Sequence, residues 1–250
     1  MILGLIAAAV IAVVIISNNN MKAMNACINE TIEMISADHK VVEMSAGDYE
    51  SIKVYGIMKF NVKLYDIEDL GNLSVMTVNV GLMQMGTLVF TPMEKDLPLL
   101  SCDYMYILNN RKAYVELYDL VDEKGETYMA WMAKYDEARN AYSDLEDTEA
   151  SEAWYDSLLT VVTYKAGKPR DDEKLKGLLL DTVSVYMEQV DAYELMTDDE
   201  QEAKRKIVKT YSDRLIDEGG VSTSFFKKSL GEDTTRDFFD KVFFGTDRYK

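Results

Sequence analysis

The chain has one histidine, two cysteines, three prolines and two tryptophans in 250 residues, and each scarcity narrows what it can do. The lone His39 sits in a polar stretch, Ala37-Asp38-His39-Lys40, and is expected at the surface. One imidazole argues against a multi-histidine metal centre and against Ser-His or Cys-His hydrolysis. Cys27 and Cys102 are far apart with no CxxC spacing. They form neither a disulfide framework nor a zinc site, and they fit a reducing compartment. No stretch after Ser45 is rich enough in Pro, Gly or Ser to be a linker, so one domain is expected. Basic residues are outnumbered 27 to 44, for a formal charge of −17, which argues against nucleic acid as a partner because a phosphate backbone needs a basic footprint. The bases that exist cluster at Lys165, Lys168, Arg170, Lys174 and Lys176, and at Lys204, Arg205, Lys206 and Lys209. Both clusters read as solvated helix faces.

What is present begins with an unbroken apolar run over residues 1–16 that stops at Ser17-Asn18-Asn19-Asn20. It is shorter than the roughly 20 residues of a typical span, but local thinning, with the asparagines at the interface, makes a span feasible. No Lys or Arg precedes the run and no small-residue cleavage motif succeeds it. An uncleaved membrane anchor over residues 1–20 is therefore expected, with a cleaved signal peptide as the rival. Lys22, just after the run, favours a cytoplasmic position for the residues C-terminal to it. Residues 21–250 are expected to form the single domain.

Met24, Cys27, Ile28, Ile32 and Ile35 recur at helical spacing, so the helix is expected to continue through residues 21–36. From Ile52 the period shortens to two. Strands are predicted around Val62 and Leu64 and over 74–82, 87–90, 102–108 and 112–118. Asn109-Asn110 predicts a tight hairpin with positive φ angles, hence antiparallel pairing. After Gly125 the pattern turns helical, over 128–145, 174–196, 198–216, 222–230 and 232–244. Thr197 with Glu200 reads as a capping box, and Gly219-Gly220 as the stop of the helix it opens. Strands first and helices after imply an α+β fold: a central antiparallel β-sheet covered by helices and preceded by an apolar N-terminal helix.

Acids are scarce inside the strands that read as core. Asp103 lies between Cys102 and the run Tyr104-Met105-Tyr106-Ile107-Leu108. An ionised carboxylate inside a core strand is costly to desolvate, so Asp103 either points to solvent at a strand end or has a raised pKa and can hold and deliver a proton.

The segment around it resembles a known family. Asp96-Leu97-Pro98-Leu99-Leu100-Ser101-Cys102-Asp103 is similar to the signature of the ferredoxin-dependent bilin reductases, in which a DxP and two hydrophobic residues precede G-x-D. The segment from Phe225 to Asp233, followed by Phe238-Phe239-Asp240-Lys241-Val242-Phe243-Phe244, resembles the family's closing helix pair. The resemblance implies a sheet sandwiched between helices (α/β/α), with a linear tetrapyrrole held between the sheet and the C-terminal helices. It implies reduction of that bilin by single electrons from ferredoxin or flavodoxin, with protons from the protein and no bound cofactor. Asp103 matches the proton-donating acid. Asn79, with Thr77 beside it, is the nearest counterpart to a His or Asn on an earlier strand, and Lys63, Lys53, Arg170 and Lys168 are candidates for the propionates. Departures from the pattern are Ser101 for the signature glycine and Gly220 where a second acid is expected. The alternative of another class is a non-catalytic, membrane-anchored protein of the same fold that binds a tetrapyrrole or scaffolds a partner.

Overall fold

The structure, a computed structural model, describes residues 2–122, 124–220 and 223–249, with side chains from Val10 onward. Its first element, α1 (Ile2–Asp38), is one unbroken helix, so the apolar run and the amphipathic segment after it share an axis. Met24, Cys27, Ile28 and Ile35 form its buried stripe, at the three- and four-residue spacing of one helix face. Met1 and the side chains of residues 2–9 lie outside the described residues, and with them much of the expected anchor. Among the described residues no helix is long and apolar enough to cross a membrane.

Period-two alternation then builds seven consecutive strands: β1 (Val41–Met44), β2 (Ser51–Val54), β3 (Met58–Ile67), β4 (Gly71–Asn79), β5 (Met83–Pro92), β6 (Leu99–Ile107) and β7 (Asn110–Tyr118). After α2 (Glu126–Asn140) come β8 (Glu146–Asp147) and β9 (Leu159–Gly167). The chain closes with α3 (Asp172–Ala192), α4 (Asp198–Glu218), α5 (Thr223–Leu230) and α6 (Glu232–Phe238), the last running into a π-helical turn over Phe239–Phe243. All strands join one antiparallel sheet in the order β1-β3-β4-β5-β6-β7-β9-β8, with β2 also paired to β3.

Successive side chains of a strand point to opposite faces, and both faces here are apolar. Leu73, Val75, Leu88, Phe90, Cys102 and Val115 pack with residues of α1, α2 and α3. Val62, Leu64, Met76, Val78, Val89 and Leu99 pack with residues of α4, α5 and α6. The result is the α/β/α sandwich of an α+β fold.

Four local expectations are corrected. A strand, β9, comes after α2 and joins the sheet beside β7. Its run Val161-Val162-Thr163 is β-branched, which suits a pleated, half-buried surface. The hairpin between β6 and β7 turns at Leu108-Asn109, with Ile107 opposite Asn110, and the positive φ of 53° falls on Leu108. Lys165 and Lys204 are buried rather than solvated. Lys165 pairs with Asp147 at 2.7 Å, and Lys204 donates to the Leu97 and Leu120 carbonyls at 2.5 Å and to Asp96 at 3.0 Å. His39 is mostly buried, with Nε2 3.8 Å from Asp191. Thr197 and Glu200 do form the capping box of α4, and Gly219 ends that helix at φ 94°. Ser222, expected to open the next helix, lies outside the described residues.

Candidate functional site

The residues of β5, β6 and β7 that face α4–α6 line a cavity of about 450 Å³, within the range of small-molecule sites. Its floor is Thr87, Val89, Ser101, Asp103, Met105, Lys112, Tyr114 and Glu116. Tyr211 and Leu215 of α4, Phe226 of α5, and Phe239, Phe243 and Phe244 of the π-helical turn form the opposite wall. Irregular helical turns of this kind recur at functional sites. Here the turn packs Phe239 against Phe243 with ring centroids 5.1 Å apart.

Asp103 sits at the centre of the floor. Thr87 lies directly across from it on β5 and donates its hydroxyl to Oδ1 at 2.5 Å, while Ser101, two residues back on the same face, donates to Oδ2 at 3.0 Å. Burial pushes the Asp103 carboxyl up to about 6, the charge of Glu116 adds to the rise, and the two hydroxyl donors oppose it. The group can therefore hold a proton close to neutral pH and release it. Glu116 is fixed as well. Tyr118 and Tyr164 each donate to one of its oxygens at 2.6 Å, and burial raises both phenols so that they stay protonated donors. The lining includes one cation, Lys112, which makes no ion pair with the described residues, against Glu116, Glu149 and Asp156.

The other residues singled out from sequence are not part of this lining. Val75 packs in the α1–α3 core, and by strand alternation Thr77 and Asn79 share its face, opposite Asp103. Asn79 accepts from Ser17 of α1 at 3.0 Å and from Gln84 at 3.1 Å. Lys63 is exposed, 4.0 Å from Glu43, and Lys53 is exposed on β2. Arg170 and Lys168 stand before α3, Arg170 largely in solvent and Lys168 bonded to Asn110 at 2.5 Å. Sequence reasoning chose the wrong face of β4 because it had no register. The counterpart of Asp103 is Thr87, and strand pairing alone identifies it. Gly220 does border the cavity, so the position where a second acid was expected is at the site without a side chain. Among the described residues no group of His, Cys, Asp and Glu is arranged to hold a metal ion.

The antiparallel sheet between helical layers, with its cavity on the C-terminal helix side, is the bilin reductase fold. Among solved structures the chain is similar to phytochromobilin synthase from tomato, crystallised in complex with biliverdin. The TM-score is 0.70 at 16% identity, over 90% of this chain and 84% of that one. At that identity the likeness establishes the fold. No protein-family model matches the sequence, and none of the curated proteins does.

Proposed function

We propose that the cavity binds a linear tetrapyrrole and that the chain reduces it, with Asp103 delivering a proton to the pigment as single electrons arrive from an external ferredoxin- or flavodoxin-type donor. The observation behind this reading is the carboxyl of Asp103, raised to about 6, on the floor of an aromatic cavity in a fold shared with a protein crystallised with biliverdin. A radical formed by one-electron reduction needs protons at defined atoms. An acid whose pKa lies near ambient pH is suited to supply them. Aromatic side chains on both walls and methionines on the sheet side suit a flat conjugated ligand, and Lys112, with no ion pair among the described residues and two positions along β7 from Tyr114, would meet a propionate. Membrane attachment through residues 1–16 belongs to the same proposal.

A second reading, binding without turnover, is favoured by two observations: three carboxylates and one lysine around Asp103, and Gly220 at the position of the second acid. Titration with biliverdin followed by anaerobic addition of reduced ferredoxin separates the two. Reduction predicts a bound spectrum that changes through a radical intermediate in the wild type and is arrested in Asp103→Asn. A bound spectrum that reduced ferredoxin leaves unchanged in the wild type would select the carrier reading. No bound spectrum would sink both.

A further inference from the structure

One end of the sheet is unlike the rest of this acidic chain. The β2–β3, β4–β5 and β6–β7 turns lie together there, since Phe60 pairs with Val78, Met83 with Ile107 and Ile107 with Asn110. The tips are apolar: Ile57 is 83% exposed and Leu82 51%, with Ile107 and Leu108 also exposed. Phe225 of α5, exposed as well, packs its ring edge-on to Tyr55 at the first tip. Tyr55 and Leu108 hold positive φ angles of 52° and 53°, a conformation costing an L-residue about 1 kcal/mol or more and better suited to Gly or Asn.

Helix α1 leaves the sheet at the same place. Ser17 bonds Asn79, and Asn20 donates to the Leu108 carbonyl at 2.9 Å. Leu108 in turn donates its amide to the Leu82 carbonyl at 2.9 Å, tying two tips together. Beyond Ser17, Val10, Ile11, Val14 and Ile15 are each more than half exposed. Asn18 and Asn19 are exposed between Ser17 and Asn20, the two residues that bond to the sheet end.

Charge is divided in the same way. Residues 1–29, 51–65, 70–93, 104–115 and 219–231 contain no Asp or Glu, in a chain with 44. Lys22, Lys53, Lys59 and Lys228 are exposed in these segments, and none has an ion pair among the described residues. Lys53 and Lys59 face each other directly across β2 and β3, a like-charge pair that is unfavourable without an outside anion. Carboxylates that border this end are engaged: Arg111 holds Asp172 at 2.7 Å, Lys176 holds Glu173 at 2.8 Å, Asp171 accepts from the Lys168 amide at 2.9 Å, and Lys227 holds Glu232 at 2.9 Å. Glu68, Asp69, Glu94, Asp96, Asp119 and Asp122 follow β3, β5 and β7 at the opposite end of the sheet.

We propose that this end docks on a phospholipid bilayer: the apolar turns of α1 enter the hydrocarbon, the three hairpin tips and Phe225 reach the interface, and the four lysines meet headgroup phosphates. Bulky apolar side chains ringed by cations, continuous with an apolar helix, fit a lipid surface in both layers of its chemistry. An acidic protein partner would satisfy the lysines and leave the helix face uncovered. The inference adds an orientation to the anchoring proposed above, and the hairpin tips support it independently of residues 1–16. It also sets α5, which closes one wall of the cavity, beside the membrane.

The test uses the full chain with Ile57→Cys, Leu82→Cys or, at the opposite end, Leu195→Cys, each labelled with an environment-sensitive fluorophore. Labelling is selective because Cys27 and Cys102 are buried and burial lifts the Cys27 thiol to about 12. With vesicles of phosphatidylcholine and phosphatidylglycerol, labels at 57 and 82 should brighten several-fold, shift to the blue and be quenched by nitroxide-bearing lipid. The label at 195 should not respond. A chain that floats with vesicles while positions 57 and 82 stay in water would overturn the docking and leave the anchor standing. A chain that does not float would overturn both. A response at 57 and 82 only on adding an acidic redox protein would assign the surface to that partner instead.

Discussion

Thr87 Oγ1 donates to Asp103 Oδ1 at 2.5 Å from the directly opposed position on the neighbouring strand. A short bond to a carboxylate oxygen favours the anion, so Thr87 restrains the rise that burial imposes on Asp103. Replacing it with valine keeps the shape and removes the donor. In Thr87→Val the Asp103 midpoint should climb above 6 by about one pH unit, monitored through the carboxyl band in infrared titration. An unmoved midpoint would mean the hydroxyl is oriented elsewhere.

Glu116 acts in the opposite direction. Its charge helps to keep Asp103 protonated, and both its oxygens are already occupied by tyrosine hydroxyls. Glu116→Gln removes the charge and retains a similar shape, so the same titration should show a lower Asp103 midpoint. If the bound pigment is protonated by Asp103, the pH profile of its absorbance should move down with it.

Asp103 also predicts a pH dependence of stability. Its folded pKa of about 6 lies above its unfolded value near 3.8. The folded state thus favours the protonated form. The stability tied to that proton is full below about pH 4 and is lost as pH rises through 6. Asp103→Asn should be the more stable protein at pH 8, by at most roughly 3 kcal/mol, with the advantage vanishing near pH 4. Thermal melts of both proteins at the two pH values decide it.

Lys204 is buried and bonded to Asp96 and to two main-chain carbonyls. Burial pulls its pKa down, and Asp96 opposes the shift. Lys204→Met leaves those acceptors short of a donor and should cost about 3 kcal/mol, seen as a lower denaturation midpoint with an unchanged ligand spectrum. A neutral outcome would show that water replaces the ammonium.

Gly86 lets α1 rest on the sheet: a Cβ there would stand 2.8 Å from Met24 Sδ, and Met24 is itself buried. Gly86→Val should push α1 away and expose Cys27 on the helix's buried stripe. Faster thiol alkylation at Cys27, with no change at Cys102, is the expected outcome.

Much of the architecture was legible in the residues. The period-two runs from Val62 to Leu117, the capping box at Thr197 and the acid Asp103 inside a core strand all signal structure through local chemistry. β9 was missed because it comes after a helix, and Thr160, Thr163 and Lys165 break up its apolar residues. Lys165 and Lys204 were assigned to solvent because charge in a sequence does not state burial, and a buried ammonium depends on carbonyls brought from distant loops.

By itself the sequence determined the alternation of strands, the helical spacing, the α+β class and the isolation of Asp103 among apolar neighbours, since each depends on residues close along the chain. Only the tertiary structure decided that Thr87 rather than Asn79 answers Asp103, that Glu116 lies beside it, and that separate acid-free segments meet at one end of the sheet. Those facts depend on strand register. A register is set by which faces can be buried together, and no single segment contains that information.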